Sequence, residues 1–442
     1  MMSVASKQGL LVSDSSTTSN NDQRQSSDKL SHVADIDNIW LLPDGVSDLL
    51  SEEAQKQEWL RYKLTRLLVS RGYELICPPM IEFTESLLGN ASEDLKRQTF
   101  KIIDQLSGRL MGVRADITPQ ILRIDAHLNK MGKANKIARY CYAGHVIRTL
   151  PDGLFGSRTP LQLGAEIFGS DSLDADIELI DVLYCLINNL NLKKHLHIDI
   201  GHVAIFARLK ELAGLSENDA SVLMNLYANK ALPELKQVCA ELPMGNDFYQ
   251  LAVYGHDMNA LKQALSQTAT QDKAIIKAVQ EVQAMVAHIK NTYQSNVSVD
   301  ITELGYHYHT GIVFNAYFEN ESQAVVRGGR FNGEGFDAAS QASTAIAEEL
   351  PSRSATGFSL EVTRLQRFIS LNESKLVLVS FADMQGVRSD DNEKLAKDLT
   401  TKIAELRDLG HRVVRPLSSE DAPNNVTHKL ILEDGEWVLR AV

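Results

Sequence analysis

The 442-residue sequence predicts an α/β (α+β) fold built from more than one domain, and three observations carry that reading. Helical and strand-like periodicities follow one another between residues 51 and 79, punctuated by Gly72 and Pro78-Pro79. A stretch nearly free of strand signals, about 203–290, is set between segments that carry them. After about residue 373 the pattern changes to strand, helix, strand. The length alone asks for two or three domains with ample core.

Taken in order, residues 1–34 are rich in Ser, Thr, Asn, Asp and Gln and read as a disordered tail, because such a segment buries too little apolar surface to offset its ordering entropy. Order is expected from Ile36–Trp40. Leu42-Pro43-Asp44-Gly45 is a turn signal, and Ser51 followed by Glu52 and Glu53 reads as a helix start. Leu60, Leu64, Leu67 and Leu68 then mark one helical face, with Gly72 placed to end it in a left-handed cap. Tyr73–Cys77 alternates like a strand, and Pro78-Pro79 fits only its end or an edge. Gly108–Arg114 reads as a hairpin turn and strand, and Asp116–Pro119 leads into a helix with Leu122, Ile124 and Leu128 on its apolar face.

Helical spacing then recurs through the 203–290 insertion. Strand-like stretches return at Val297–Ile301, Ile312–Phe318 and Ala324–Val326. These segments make one core domain, 35–370, that closes on Gly357–Leu365. A second domain, 374–442, carries Leu376–Phe381, Glu393–Leu409 and Arg412–Arg415.

Composition narrows the function classes. Hydrophobic content of 44% and charged content of 23% are ordinary for a globular protein. No run approaches the roughly eighteen apolar residues of a membrane span, and the first residues lack the order of a signal peptide. A cytoplasmic protein with no membrane partner is expected. Cys77, Cys141, Cys185 and Cys239 are scattered, with no CxxC pair, and read as small buried residues rather than a zinc site. The formal net charge is −12 and no basic run is present, which argues against a polyanion such as tRNA as partner.

Tyr140–Gly169, YCYAGHVIRTLPDGLFGSRTPLQLGAEIFG, resembles motif 2 of class II histidyl-tRNA synthetases. The helix–Gly–strand–Pro segment is similar to their motif 1, and Gly357–Leu365 to their motif 3. The resemblance implies a class II aminoacyl-tRNA-synthetase-like antiparallel sheet flanked by helices, a homodimer through motif 1, and a truncated anticodon-binding-like domain at the C-terminus. It also implies a histidine pocket, in which Asp116, Thr118 and Gln162 hold the α-ammonium and Glu166 accepts from the imidazole N–H. Tyr308 lines the same pocket, and His309 replaces a pocket tyrosine.

The ATP-handling half departs from that pattern. Leu150 stands where the family has Glu, Pro160 where an adenine-stacking Phe is expected, and Leu304 where an arginine serves the α-phosphate. Losing one preorganised donor costs roughly a hundred- to a thousandfold in rate, so activation is expected to be negligible. Arg148 and Arg364 match the motif arginines. No catalytic residue, cofactor or metal is assigned.

Other readings remain open for several residues. Gln162 and Glu166 could be satisfied buried polar groups instead of ligand contacts. His307 and His309 have the spacing of paired metal ligands, but no third ligand is near in sequence. Arg327-Gly328-Gly329-Arg330 could cradle phosphate, but it is similar to a synthetase strand turn and reads as structural or pocket-lining. The Gly153/Gly156 loop lacks the Gly-Lys-Ser/Thr of a P-loop. Asp174, Asp176, Glu178 and Asp181 read as favourable charge at a helix start.

Over residues 36–442 the chain is similar to the regulatory subunits of short-form ATP phosphoribosyltransferase, most specifically at LLPDGVSDLL, GYELICPPMIEF, GRLMGVRADITPQ and QLGAEIFG. The resemblance implies a non-catalytic subunit in a hetero-octamer with the short catalytic subunit, activating it and carrying histidine feedback inhibition in histidine biosynthesis. The alternatives are a divergent histidyl-tRNA synthetase and a histidine sensor for another partner.

Overall fold

The computed structural model describes residues 41–88, 92–153, 156–303, 309–319, 321, 323–332, 353–370, 374–387 and 392–442. The chain forms two compact units, one ending at Phe368 and the other spanning Ile369–Val442. The tail 1–34 lies outside the described residues.

The first unit is organised by an eight-stranded sheet. Its strands are β1 (Glu74–Leu75), β5 (Ala138–His145), β6 (Leu161–Phe168), β7 (Leu196–His202), β8 (Asn296–Val299), β9 (His309–Phe318), β10 (Val326–Asn332) and β11 (Ser354–Glu361). Their order is β1-β5-β6-β11-β10-β9-β7-β8. The six inner strands pair antiparallel, and only the outer pairs β1–β5 and β7–β8 are parallel. A smaller sheet, β2 (Ile81–Phe83), β4 (Leu110–Val113) and β3 (Phe100–Ile103), is antiparallel, and Gly108 turns its hairpin at φ +70.

Every residue of β6 is buried, and the helices Ser51–Val69, Leu173–Asn189 and Val362–Leu365 pack against it. The helix Ser51–Val69 lays Gln57, Leu60, Leu64 and Leu68 inward, and Gly72 takes the left-handed conformation after it at φ +86. Leu50, without a side-chain hydrogen bond, occupies the cap position ahead of Ser51. The helix Thr118–Lys130 buries Ile121 against Tyr140, Tyr142, Phe168 and Phe331. Its buried stripe is Thr118, Gln120, Ile121 and Asp125. Leu122, Ile124 and Leu128 are only partly buried, which moves the inward face from the one expected.

Several other expectations are corrected. The alternation of Tyr73–Cys77 does not hold, since β1 is a two-residue edge strand with both residues exposed and Tyr73 alone buried. Arg327–Arg330 is no turn: it lies inside β10, where Gly328 gives room to the Phe314 ring of the next strand. Cys141 and Cys239 are buried, whereas Cys77 is exposed and Cys185 is half-buried.

The acidic run at the start of the helix Leu173–Asn189 is mostly consumed by long-range partners. Asp176 is buried against Arg330 and Thr356, Glu178 holds Arg139 at 2.6 Å, and Asp181 accepts from Tyr293 at 2.7 Å. Only Asp174 keeps the expected terminal role, beside the capping hydroxyl of Ser172.

Between β7 and β8 run seven helices, from Val203–Ala213 to Lys273–Tyr293. Ser216, Asp257, Ser266 and Asp272 cap four of them with side-chain oxygens.

The second unit is a four-stranded sheet ordered β13 (Arg412–Val414), β12 (Leu376–Val379), β14 (His428–Glu433), β15 (Glu436–Ala441). The helix Glu393–Asp408 packs Leu399, Ile403 and Leu406 into a core with Val377, Leu430 and Trp437. The β14–β15 hairpin was not foreseen.

Candidate functional site

Because β5, β6 and β11 pair in register, Tyr140 and Gly357 flank Glu166, and Tyr142 lies opposite Gly164. Paired residues share a face, so one side of the sheet gathers Tyr142, Gln162, Glu166 and Gly357. The N-terminus of the helix Thr118–Lys130 closes over them. Asp116 accepts from Gln162 Nε2 at 2.8 Å and from the Thr118 amide at 3.2 Å, while the Ile117 amide donates to Gln162 Oε1 at 3.0 Å. Thr118 Oγ1 lies 3.0 Å from Glu166 Oε1 and 3.0 Å from the Tyr142 hydroxyl, which itself stands 3.2 Å from the same Oε1.

Glu166 is 1% exposed, and its second oxygen, Oε2, is buried with no hydrogen-bond partner. A buried carboxyl without a cation is costly to ionise. Burial accordingly pushes the Glu166 carboxyl up to about 8, the Thr118 hydroxyl pulling it down, Asp116 adding to the rise and Tyr142 again opposing it. Gly357 makes the arrangement possible, because a Cβ there would fall on Glu166 Oε2. His309 begins β9, and its ring packs over the face of Gly329, the strand neighbour of Gly357. Tyr308 and Leu304 lie outside the described residues.

The arginine half is built differently. Arg364, 8% exposed, reaches Glu361 at 3.0 Å, Asp152 Oδ2 at 3.4 Å and Glu321 at 3.7 Å, and donates to the Asp152 carbonyl at 3.0 Å. Arg148 lies 3.8 Å from Glu361 and donates to the Ala115 carbonyl at 3.5 Å. Arg327 donates to the same Asp152 Oδ2 at 3.1 Å. Leu150 points to solvent, and Pro160 is buried with its carbonyl accepting from the Val146 amide at 3.1 Å. Each retained arginine is thus held by carboxylates of its own chain.

A family model for histidyl-tRNA synthetase matches residues 45–365, and one for the C-terminal domain of the ATP phosphoribosyltransferase subunit HisZ matches residues 391–440. A curated relative from Psychrobacter arcticus, an ATP phosphoribosyltransferase regulatory subunit, is 57% identical over 403 residues, covering 91% of this chain and all of that one. The chain belongs to the family of ATP phosphoribosyltransferase regulatory subunits.

Solved structures share the fold of this regulatory subunit. One from Bacillus halodurans, an ATP phosphoribosyltransferase regulatory subunit/histidyl-tRNA synthetase, is 23% identical, covers 85% of this chain and 92% of its own, and has a TM-score of 0.66. A chain of the ATP phosphoribosyl transferase (HisG:HisZ) complex from Thermotoga maritima is 16% identical, covers 71% and 98%, and has a TM-score of 0.50. The class II histidyl-tRNA-synthetase-like α/β fold expected from the motifs is the fold found. The shared name of the relatives agrees with a non-catalytic chain.

For this regulatory subunit the structure brings Asp116, Thr118, Gln162 and Glu166 into one hydrogen-bonded cluster, with His309 on the same sheet face. Sequence reasoning missed Tyr142, Asp152, Glu321 and Glu361. Gly164 was the available signal for Tyr142, since a glycine inside a strand marks close approach, and a Cβ there would meet the Tyr142 ring.

Two surface hollows lie elsewhere: about 280 Å³ between the insertion helices and β8, lined by Lys230, Asp199 and Asp300, and about 360 Å³ along Trp59 and Tyr62. Neither touches Glu166, and the buried, half-satisfied carboxyl marks the site more sharply than cavity size. Among the described residues no group of three His, Cys, Asp or Glu could hold a metal, and no helix is long and apolar enough to cross a membrane.

Proposed function

We propose that this regulatory subunit assembles with a short-form ATP phosphoribosyltransferase catalytic subunit, raises its activity, and carries histidine feedback inhibition through the Glu166 cluster. The observation that carries the histidine arm is Glu166 Oε2, a buried acceptor with no partner in a site lined by groups suited to a zwitterion with a polar ring. Asp116, Thr118 and Gln162 hold the α-ammonium, Glu166 accepts from the imidazole, and Tyr308 and His309 line the remaining wall. Leu150, Pro160 and Leu304, with Arg148 and Arg364 already paired, leave the histidine unactivated.

The partnership is supported by the regulatory-subunit name of the relatives and by the HisG:HisZ complex in which the Thermotoga maritima neighbour was solved. A homodimer through motif 1 would cover Trp59, Tyr62, Val69, Leu75, Met80 and Ile81, all exposed on that segment. The whole assembly is a cytoplasmic hetero-octamer that engages no tRNA, and in this chain 35–370 is the class II synthetase-like core and 374–442 a truncated anticodon-binding-like domain. Histidine then acts by a coupling free energy between its pocket and the partner's active site, typically about 1–3 kcal/mol.

The test is phosphoribosyl-ATP formation by the short catalytic subunit of the same organism, with and without this chain. A several-fold rise in rate, reversed by histidine, is expected. No change at saturating chain overturns the reading, and histidine-dependent pyrophosphate exchange into ATP would replace it with a synthetase.

A further inference from the structure

Three oxygens, Thr118 Oγ1, the Tyr142 hydroxyl and Glu166 Oε1, stand in a closed triangle with edges of 3.0, 3.2 and 3.0 Å. Both hydroxyls can donate to Oε1 of an ionised carboxyl, which leaves no hydrogen between the two of them. A proton on Oε1 lets all three contacts be hydrogen bonds at once: the carboxyl donates to one hydroxyl, that hydroxyl to the other, and the second back to the carboxyl. Burial of the carboxyl with no cation against it favours this neutral form. All three side chains are buried, and Oε2 is left without a donor, seated in the room that the missing Cβ of Gly357 provides.

Resting on the histidine site proposed above, we infer that Tyr142 is a positioning residue of that site. With Thr118 it occupies one oxygen of Glu166 and presents the other to the ligand, so that histidine binding expels the Glu166 proton to solvent. When an imidazole N–H donates to Oε2, the carboxyl is required as an anion, and both hydroxyls turn their hydrogens onto Oε1. The ring is therefore a proton-linked latch. The ligand is captured by the ionised form, while the empty pocket rests in the neutral one.

The groups facing Glu166 fit this balance. Asp116, from the segment entering the helix, disfavours a second anion, and Tyr142 is held un-ionised by burial and by Glu166 itself. Tyr73 lies farther off, and β11 contributes only Gly357. The carboxyl's own displacement to about 8 agrees with a proton present in the empty pocket at neutral pH.

Calorimetric titration of the full chain with L-histidine, from about pH 6.5 to about pH 9 in buffers of different ionisation enthalpy, tests the latch. Wild type is expected to release close to one proton per histidine at neutral pH. Its affinity should rise up to tenfold per pH unit before levelling near the carboxyl's midpoint. Tyr142→Phe removes one donor to the anion, so affinity falls roughly tenfold and the midpoint of the profile moves to higher pH. Thr118→Val, which removes the other donor, moves it the same way.

A merely structural role for Tyr142 would lower affinity equally at every pH and leave the midpoint in place, and that result overturns the inference. So does wild-type binding with no proton released. If wild-type chain binds no histidine at any pH, the histidine site itself fails, which is a distinct result. Thermal melts of each variant separate loss of fold from loss of ligand.

Discussion

The two halves of the site share one sheet and treat their polar groups in opposite ways. Around Arg364 every charge is answered from within the chain, by Glu361, Asp152 and Glu321. Around Glu166 one buried acceptor is left unanswered by the chain. A self-satisfied cluster serves stability, and an incomplete one serves binding. On the proposed function, the same difference separates a histidine pocket from a nucleotide side that has become internal structure.

If that contrast holds, mutations in the two halves separate stability from binding. Arg364→Ala should show the largest effect, since it removes the buried cation shared by three carboxylates and leaves them only Arg148, Arg327 and Arg367 at their edges. A loss of about 3–5 kcal/mol in chemical denaturation is expected, with residual folded protein still binding histidine. A loss below about 1 kcal/mol would mean the arginine half is not holding itself together.

Glu166→Ala should do the reverse. Thr118 and Tyr142 can still bond to each other, so stability changes little, while histidine affinity falls by about 1.5–3 kcal/mol, the worth of a hydrogen bond to a charged group. Unchanged histidine inhibition of the assembled enzyme in this variant would place the sensor elsewhere. Gly357→Ala puts a methyl where Glu166 Oε2 sits, and overpacking of about 1–3 kcal/mol is expected together with lost histidine binding. Retention of both would show that the carboxyl moves freely, contrary to the ring of hydroxyls described.

The smallest effect is in the pH dependence of the ligand-free chain. The folded pKa of Glu166 is raised, so its contribution favours folding below 4.5, its ordinary value, and is lost as pH rises through about 8. Glu166→Gln should remove that slope from the denaturation midpoints, and saturating histidine should remove it from the wild type. A slope that persists in Glu166→Gln would assign it to other groups.

Much of this was legible in the sequence, and the failures have local causes. Asp116, Thr118, Gln162 and Glu166 could be named together through the resemblance to the synthetase motifs; in the structure strand register sets Gln162 and Glu166 on one face, and the start of the helix Thr118–Lys130 brings Asp116 and Thr118 onto them. The partners of Arg364 could not, since Glu321 and Asp152 come from loops whose approach depends on the closed fold. Asp176 looked like helix-terminal charge, yet its partner Arg330 is 154 residues away in sequence. The β14–β15 hairpin was readable: Asp434-Gly435, with φ of +49 and +84, is a dipeptide that tight hairpin turns favour, set here between the apolar runs Leu430–Leu432 and Trp437–Leu439.

Direct titration of histidine into the isolated chain is the most decisive measurement. One site per chain, weakened by about 1.5–3 kcal/mol in Glu166→Ala and retained in residual folded Arg364→Ala, is the predicted result. Histidine that binds Glu166→Ala as tightly as wild type, or that binds only through the catalytic partner, would contradict the assignment of the sensor to this pocket.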